Sequence, residues 1–138
     1  MTTKEYLKQI KTLDIKINQR IKELEDYKRT MYLPGGSESE RVQTSPKPDG
    51  IGERVAKACG MEEDINKMID DFVDLKHKII GEIQSLNNPL YINILYKRYV
   101  EYKFFEEIAV EMSYSYRQIL RIHGIALSDF KKMSPNVP

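Results

Sequence analysis

The stretch from Phe105 to Leu127 constrains this chain's fold more tightly than any other segment. Ile108, Ala109 and Met112 fall on one face of a short helix, and Ile119, Ile122 and Ala126 recur at three- and four-residue steps on a second. Two short apolar faces so close in the chain must pack on each other, and Ala109 is small where the two backbones need to cross. Between them Ser113, Tyr114 and Ser115 supply a tight turn followed by an N-cap serine, whose hydroxyl satisfies an orphan amide of the next helix. Tyr114 reads as a core side chain at this turn, while Tyr116, Arg117 and Arg121 project outward. The pattern is that of a helix-turn-helix. Arginines near the start of its second helix suit a major groove, because a guanidinium donates two bonds to guanine O6 and N7. Gln118 stands beside them to supplement base contacts, and His123 follows one turn later, placed to touch a phosphate or to pack at the helix end.

Upstream, Asn88 and Pro89 form a helix-start signature. The helix they open, roughly residues 89–102, carries Leu90, Ile94, Leu95 and Tyr99 as the third member of a trihelical head, with Lys97 and Arg98 placed either to reach phosphates or to remain solvated. Two longer stripes precede it. Leu7, Ile10, Ile17, Ile21, Leu24 and Met31 approach a heptad seam, widened by Tyr6, Leu13 and Tyr27 and interrupted by Asp14 and Lys28. Ile65, Met68, Phe72, Leu75, Ile79, Ile83 and Leu86 make the second stripe. Each is the natural partner of the other, which predicts an antiparallel hairpin. The proline- and glycine-rich stretch between them reads as a flexible loop at about 33–52, with no Gly-Lys-Ser/Thr at P-loop spacing, and Gly60 near the start of the second helix weakens that turn. The fold class is therefore all-α. A long helical hairpin, residues 1–86, precedes a compact helix-turn-helix head, residues 87–132, and a tail, residues 133–138.

Charge is informative through its distribution. The net charge is +1, yet residues 1–32 hold eight basic and five acidic groups, residues 33–96 seven and eleven, and residues 97–138 seven and five. Both ends are basic, so a positive face forms if they converge. The carboxylates of the second stripe suggest no acid–base pair: Lys67 with Asp71, Asp74 with Lys78 and Lys78 with Glu82 are opposite charges four apart, the mark of a salt-bridged solvated face. His77 and His123 lack neighbours at ligand spacing, so neither metal site, cofactor nor catalytic group is indicated, and the chain does not read as an enzyme. Cys59, the single cysteine, reads as a small buried or half-buried hydrophobe in a reducing compartment. With neither an apolar leader nor a membrane-length apolar run, the chain reads as cytoplasmic, with no membrane partner.

The segment Phe105-Glu106-Glu107-Ile108-Ala109 resembles the start of the C-terminal helix-turn-helix of bacterial sigma factors, their region 4. With Asn88, Pro89, Leu95, Arg98, Tyr99 and the run from Arg117 to Leu127 added, the chain is similar to small phage-encoded late-transcription regulators of the RinA/ArpU kind. Ser113 departs from that pattern, standing where glycine is usual; serine tolerates a left-handed backbone less well. The resemblance implies sequence-specific binding of double-stranded DNA in phage or prophage late-gene control, in a bacterial host cytoplasm. In that mechanism Ser115 would cap and position the recognition helix, Arg117 and Arg121 would read base edges with Tyr116 and Gln118 supplementing them, and His123, Arg98 and Lys97 would serve the phosphates. A homodimer is expected, and the hairpin would provide either oligomerisation or a surface for host RNA polymerase. Two other readings stand beside it: the small subunit of a phage terminase, and a coiled-coil protein-interaction module that binds no DNA.

Overall fold

The computed structural model describes residues 1–32 and 50–134. The chain is all-α, and the described residues form five α-helices and one π turn: α1 (Thr3–Tyr32), α2 (Gly50–Gln84), α3 (Pro89–Leu95), the π turn (Tyr96–Val100), α4 (Phe105–Met112) and α5 (Tyr116–Met133). No described helix is long and apolar enough to cross a membrane. Most of the expected loop at about 33–52 lies outside the described residues. Its last three residues do not belong to a loop: Gly50, Ile51 and Gly52 open α2, with Glu53 in the first turn favouring the positive end of the helix dipole. Gly60 is consequently ten residues inside α2 rather than at its start.

The helices make two compact units, Ile15–Asp71 and a second that joins Met1–Asp14 to Phe72–Pro138. The chain therefore divides elsewhere than at residue 87. The physical reason lies in the second unit's core, where Leu7 and Ile10 from the start of α1 and Ile79 and Ile83 from the end of α2 cluster with Leu95, Tyr99, Ala126 and Phe130. The ends of the two long helices are thus part of the head's own interior. In the first unit the later part of α1 meets the earlier part of α2 through Leu24, Ala58 and Ile65, with Ile21, Tyr27, Met31 and Met61 at the margin.

Both polar interruptions of the α1 seam have found partners. The Tyr102 hydroxyl donates to the Asp14 carboxylate, and Lys28 Nζ lies 2.8 Å from Glu62 Oε1. The three opposite-charge pairs expected along α2 do not close within 4.0 Å among the described residues, and Glu82 instead accepts a bond from the Tyr6 hydroxyl. Cys59 is exposed rather than buried, because α2 turns its neighbour Ala58 inward and a residue one step on lies about 100° round the helix.

Candidate nucleic-acid interface

The site is built on the three short helices of the second unit. Asn88 caps α3 by accepting from the Leu90 amide at 2.9 Å, with Pro89 at the first helical position, where its missing N–H is not needed. The helix does not run on to Tyr102. At Tyr96 it widens into the π turn, and the chain then passes through Tyr102 in a left-handed conformation, φ 60°. Ile94 from α3, Ile108 and Ala109 from α4, and Ile119 and Ile122 from α5 form one buried cluster, bordered by Leu90, Tyr91, Phe105 and Met112. The apolar periodicity of residues 108–122 is this cluster, and Ala109, 6% exposed, sits within it.

Between α4 and α5 the turn is tightly determined. Ser113 adopts φ 61°, ψ 38°, its amide bonds to the Val110 carbonyl, and the Tyr114 amide reaches back to the Ala109 carbonyl at 3.0 Å. These two bonds satisfy the orphan carbonyls of α4 in the Schellman arrangement. Serine thus occupies a left-handed position usually given to glycine, at a conformational cost. The reversal also turns Tyr114 outward: at 37% exposed it is a surface residue, not the core side chain its position suggested.

Ser115 begins α5. Its hydroxyl accepts from the Gln118 amide at 3.1 Å, and Gln118 Oε1 accepts from the Ser115 amide at 2.9 Å, a reciprocal capping box. Gln118 is therefore committed through its oxygen to holding the helix start, which leaves only its amide nitrogen to reach outward. Past the cap, Ile119, Ile122, Ala126 and Phe130 are buried and the opposite side of α5 is open. Tyr116 is 46% exposed; Arg117 and Arg121 are exposed, four residues apart, and have no ion pair among the described residues. Five of the eight expected contact residues, Ser115 to Gln118 and Arg121, thus stand together on the first two turns of α5.

The other three have partners inside the fold. His123 is 5% exposed, with Nε2 2.7 Å from the Tyr99 hydroxyl and its ring stacked on Tyr99 and met edge-on by Phe105. A phosphate cannot reach it. Desolvation, reinforced by the charges of Lys4, Arg98 and Lys8, pushes its pKa down to about 4, so the ring is neutral near pH 7 and shares a single hydrogen bond with the Tyr99 hydroxyl. Burial in turn raises the Tyr99 hydroxyl to about 12. Arg98 donates to the Lys103 carbonyl at 3.0 Å and lies 4.2 Å over the Phe105 ring. Lys97 Nζ bonds Glu111 Oε1 at 2.7 Å, while Lys103 Nζ holds Glu111 Oε2 at 2.6 Å. The two ammonium groups depress the Glu111 carboxyl, Lys103 foremost, and together they tie the π turn and its following loop to the end of α4.

Sequence reasoning missed these ties for a definite reason. Tyr99 and His123 are 24 residues apart and Lys97 and Glu111 are 14 apart, so no helical spacing couples either pair. The chain matches no protein-family model, no curated protein and no solved structure.

Proposed function

We propose that this chain is a sequence-specific double-stranded DNA-binding regulator, with α4 and α5 forming its helix-turn-helix and α5 entering the major groove. One observation carries the reading: Arg117 and Arg121 are exposed, with no ion pair among the described residues, on the first two turns of a capped helix whose opposite face is buried. A rigid helix start with two unspent guanidinium forks is the arrangement that bidentate contact to guanine requires. Tyr116 flanks them, and Ser115 acts by fixing the helix start. The resemblance to phage late-transcription regulators supports a role in phage or prophage late-gene control from the bacterial cytoplasm, and pairing of two heads on adjacent half-sites favours a homodimer. A contact with host RNA polymerase belongs to the same reading.

A protein-binding module is the second reading, favoured by Phe104 and Val110, which are 63% and 81% exposed at α4. Selection of bound sequences from a random duplex pool separates the two. The DNA reading expects enrichment of a defined motif at moderate salt; a pool that stays random would transfer the function to the α4 surface.

A further inference from the structure

We infer that the N-terminal turns of α1 form a phosphate clamp, in which Lys4 and Lys8, with Lys11 beyond them, grip the backbone of the duplex that α5 reads. The inference rests on the DNA-binding reading and adds to it a segment otherwise assigned to the helical hairpin. Lys4, Lys8 and Lys11 stand at i, i+4 and i+7, so they share one face of α1, and all three are exposed. Leu7, three residues after Lys4 and four before Lys11, and Ile10 are fully buried in the cluster that also holds Ala126 and Phe130 of α5, so the lysine row runs along the edge of the buried stripe. The Tyr6 and Phe130 rings, 6.3 Å between centroids, fix α1 beside α5.

Three further observations make these lysines available to a polyanion. Neither Lys4 nor Lys8 has an ion pair or hydrogen bond among the described residues, and Lys11 lies 5.9 Å from the centre of the Tyr102 ring. The nearest acid in sequence, Glu5, is turned to the helix start, where its carboxylate accepts from the Thr2 amide and its own amide donates to Thr2 Oγ1. Lys4 and Lys8 also lie close enough to α5 for their charges to act, with that of Arg98, on His123. Positive charge from residues 4, 8 and 98 thus gathers at the middle of α5, although Arg98 itself is bonded within the fold. A cationic margin beside a reading helix meets the phosphates that flank a groove; such contacts position the protein without carrying sequence information.

The test compares the parent with Lys4→Gln/Lys8→Gln and Lys4→Arg/Lys8→Arg, each titrated with the selected duplex and with a scrambled one across a salt series. Each lost phosphate contact lowers the slope of log K against log salt by about 0.9, so the glutamine pair should lower it by about 2 and cost on the order of 10- to 30-fold in affinity at about 0.15 M salt. The loss should be equal on both duplexes, the arginine pair should bind like the parent, and thermal melts of all three should coincide. An unchanged slope in the glutamine pair overturns the clamp while leaving the α5 reading intact. Loss confined to the selected duplex also overturns it, by making the lysines readers of sequence. A parent that binds neither duplex removes the DNA reading itself, and the clamp with it.

Discussion

The Tyr99 hydroxyl lies 2.7 Å from Nε2 of the buried His123 ring, a polar bond that joins the π turn to the middle of α5 inside the head. It has a consequence for acid stability. His123 titrates at about 4 in the fold, below the ordinary histidine value of 6.5, so between these values the unfolded chain takes up a proton that the folded chain refuses. The stabilisation is complete above about pH 6.5, is lost progressively as pH falls towards 4, and amounts to about 3 kcal/mol. Nuclear magnetic resonance titration of the two histidines checks this directly. A His123 midpoint near the ordinary value would refute the burial argument.

Removing the Tyr99 hydroxyl tests the same bond from the other side. Tyr99→Phe keeps the ring packing but leaves His123 Nε2 buried without its partner, which should destabilise the head by about 1–3 kcal/mol. Denaturant unfolding of variant and parent measures the difference, and equal midpoints would show that the bond contributes nothing net.

Arg117→Ala and Arg121→Ala are each expected to cost about 1–3 kcal/mol in binding to a selected duplex for a lost bidentate contact. Folding should be untouched, since both side chains are exposed and have no ion pair among the described residues. Binding isotherms on selected and scrambled duplexes distinguish the roles. Equal losses on the two would make these arginines phosphate anchors instead of readers.

Ala109→Leu adds bulk to the cluster shared by α3, α4 and α5 and should overpack it, at a cost of about 1–3 kcal/mol. Calorimetric melting reads the effect. A variant as stable as the parent would mean that the space beside Ala109 is larger than its burial implies.

Ser113→Gly should act in the opposite direction. The left-handed backbone at this turn costs serine more than glycine, so the substitution should stabilise the head by up to about 1 kcal/mol, offset in part by the greater freedom of glycine in the unfolded chain. A lower melting temperature would show that the serine side chain contributes something its backbone geometry does not reveal.

The sequence was legible where one helix face explains one set of residues. Leu7, Ile10, Ile17 and Leu24 on α1, Ile65, Ile79 and Ile83 on α2 with Leu86 just past its end, and the apolar positions from Ile108 to Ala126 are buried as their periodicity requires. The Ser115 cap is equally legible, because an N-cap is a local bond between residues three apart. What periodicity could not disclose is how polar residues pair across helices. Lys97, Arg98 and His123 carry the chemistry of phosphate contact, yet Glu111, the Phe105 ring and Tyr99 engage them first. The π turn left no trace in the pattern either: Leu95 and Tyr99, four apart and both buried, read as an unbroken α-helix. Lys4, Lys8 and Lys11 were visible as an i, i+4, i+7 row, whereas their place beside α5 depends on contacts between chain ends about 125 residues apart, as between Tyr6 and Phe130.

The π turn works as a change of thread in a screw. An α-helix advances by 3.6 residues per revolution, while the Glu101 amide bonds the Tyr96 carbonyl five residues back, so the coil from Tyr96 to Val100 holds a residue more. Ile94 stays aligned with α4 and α5 in one cluster, and five positions later Tyr99 is turned into the other. One short stretch of chain thereby serves two interiors. The turn absorbs its extra residue within itself, so removing one position there would restore the α pitch without the full rotation of about 100° that a deletion from a uniform helix imposes on the chain beyond it.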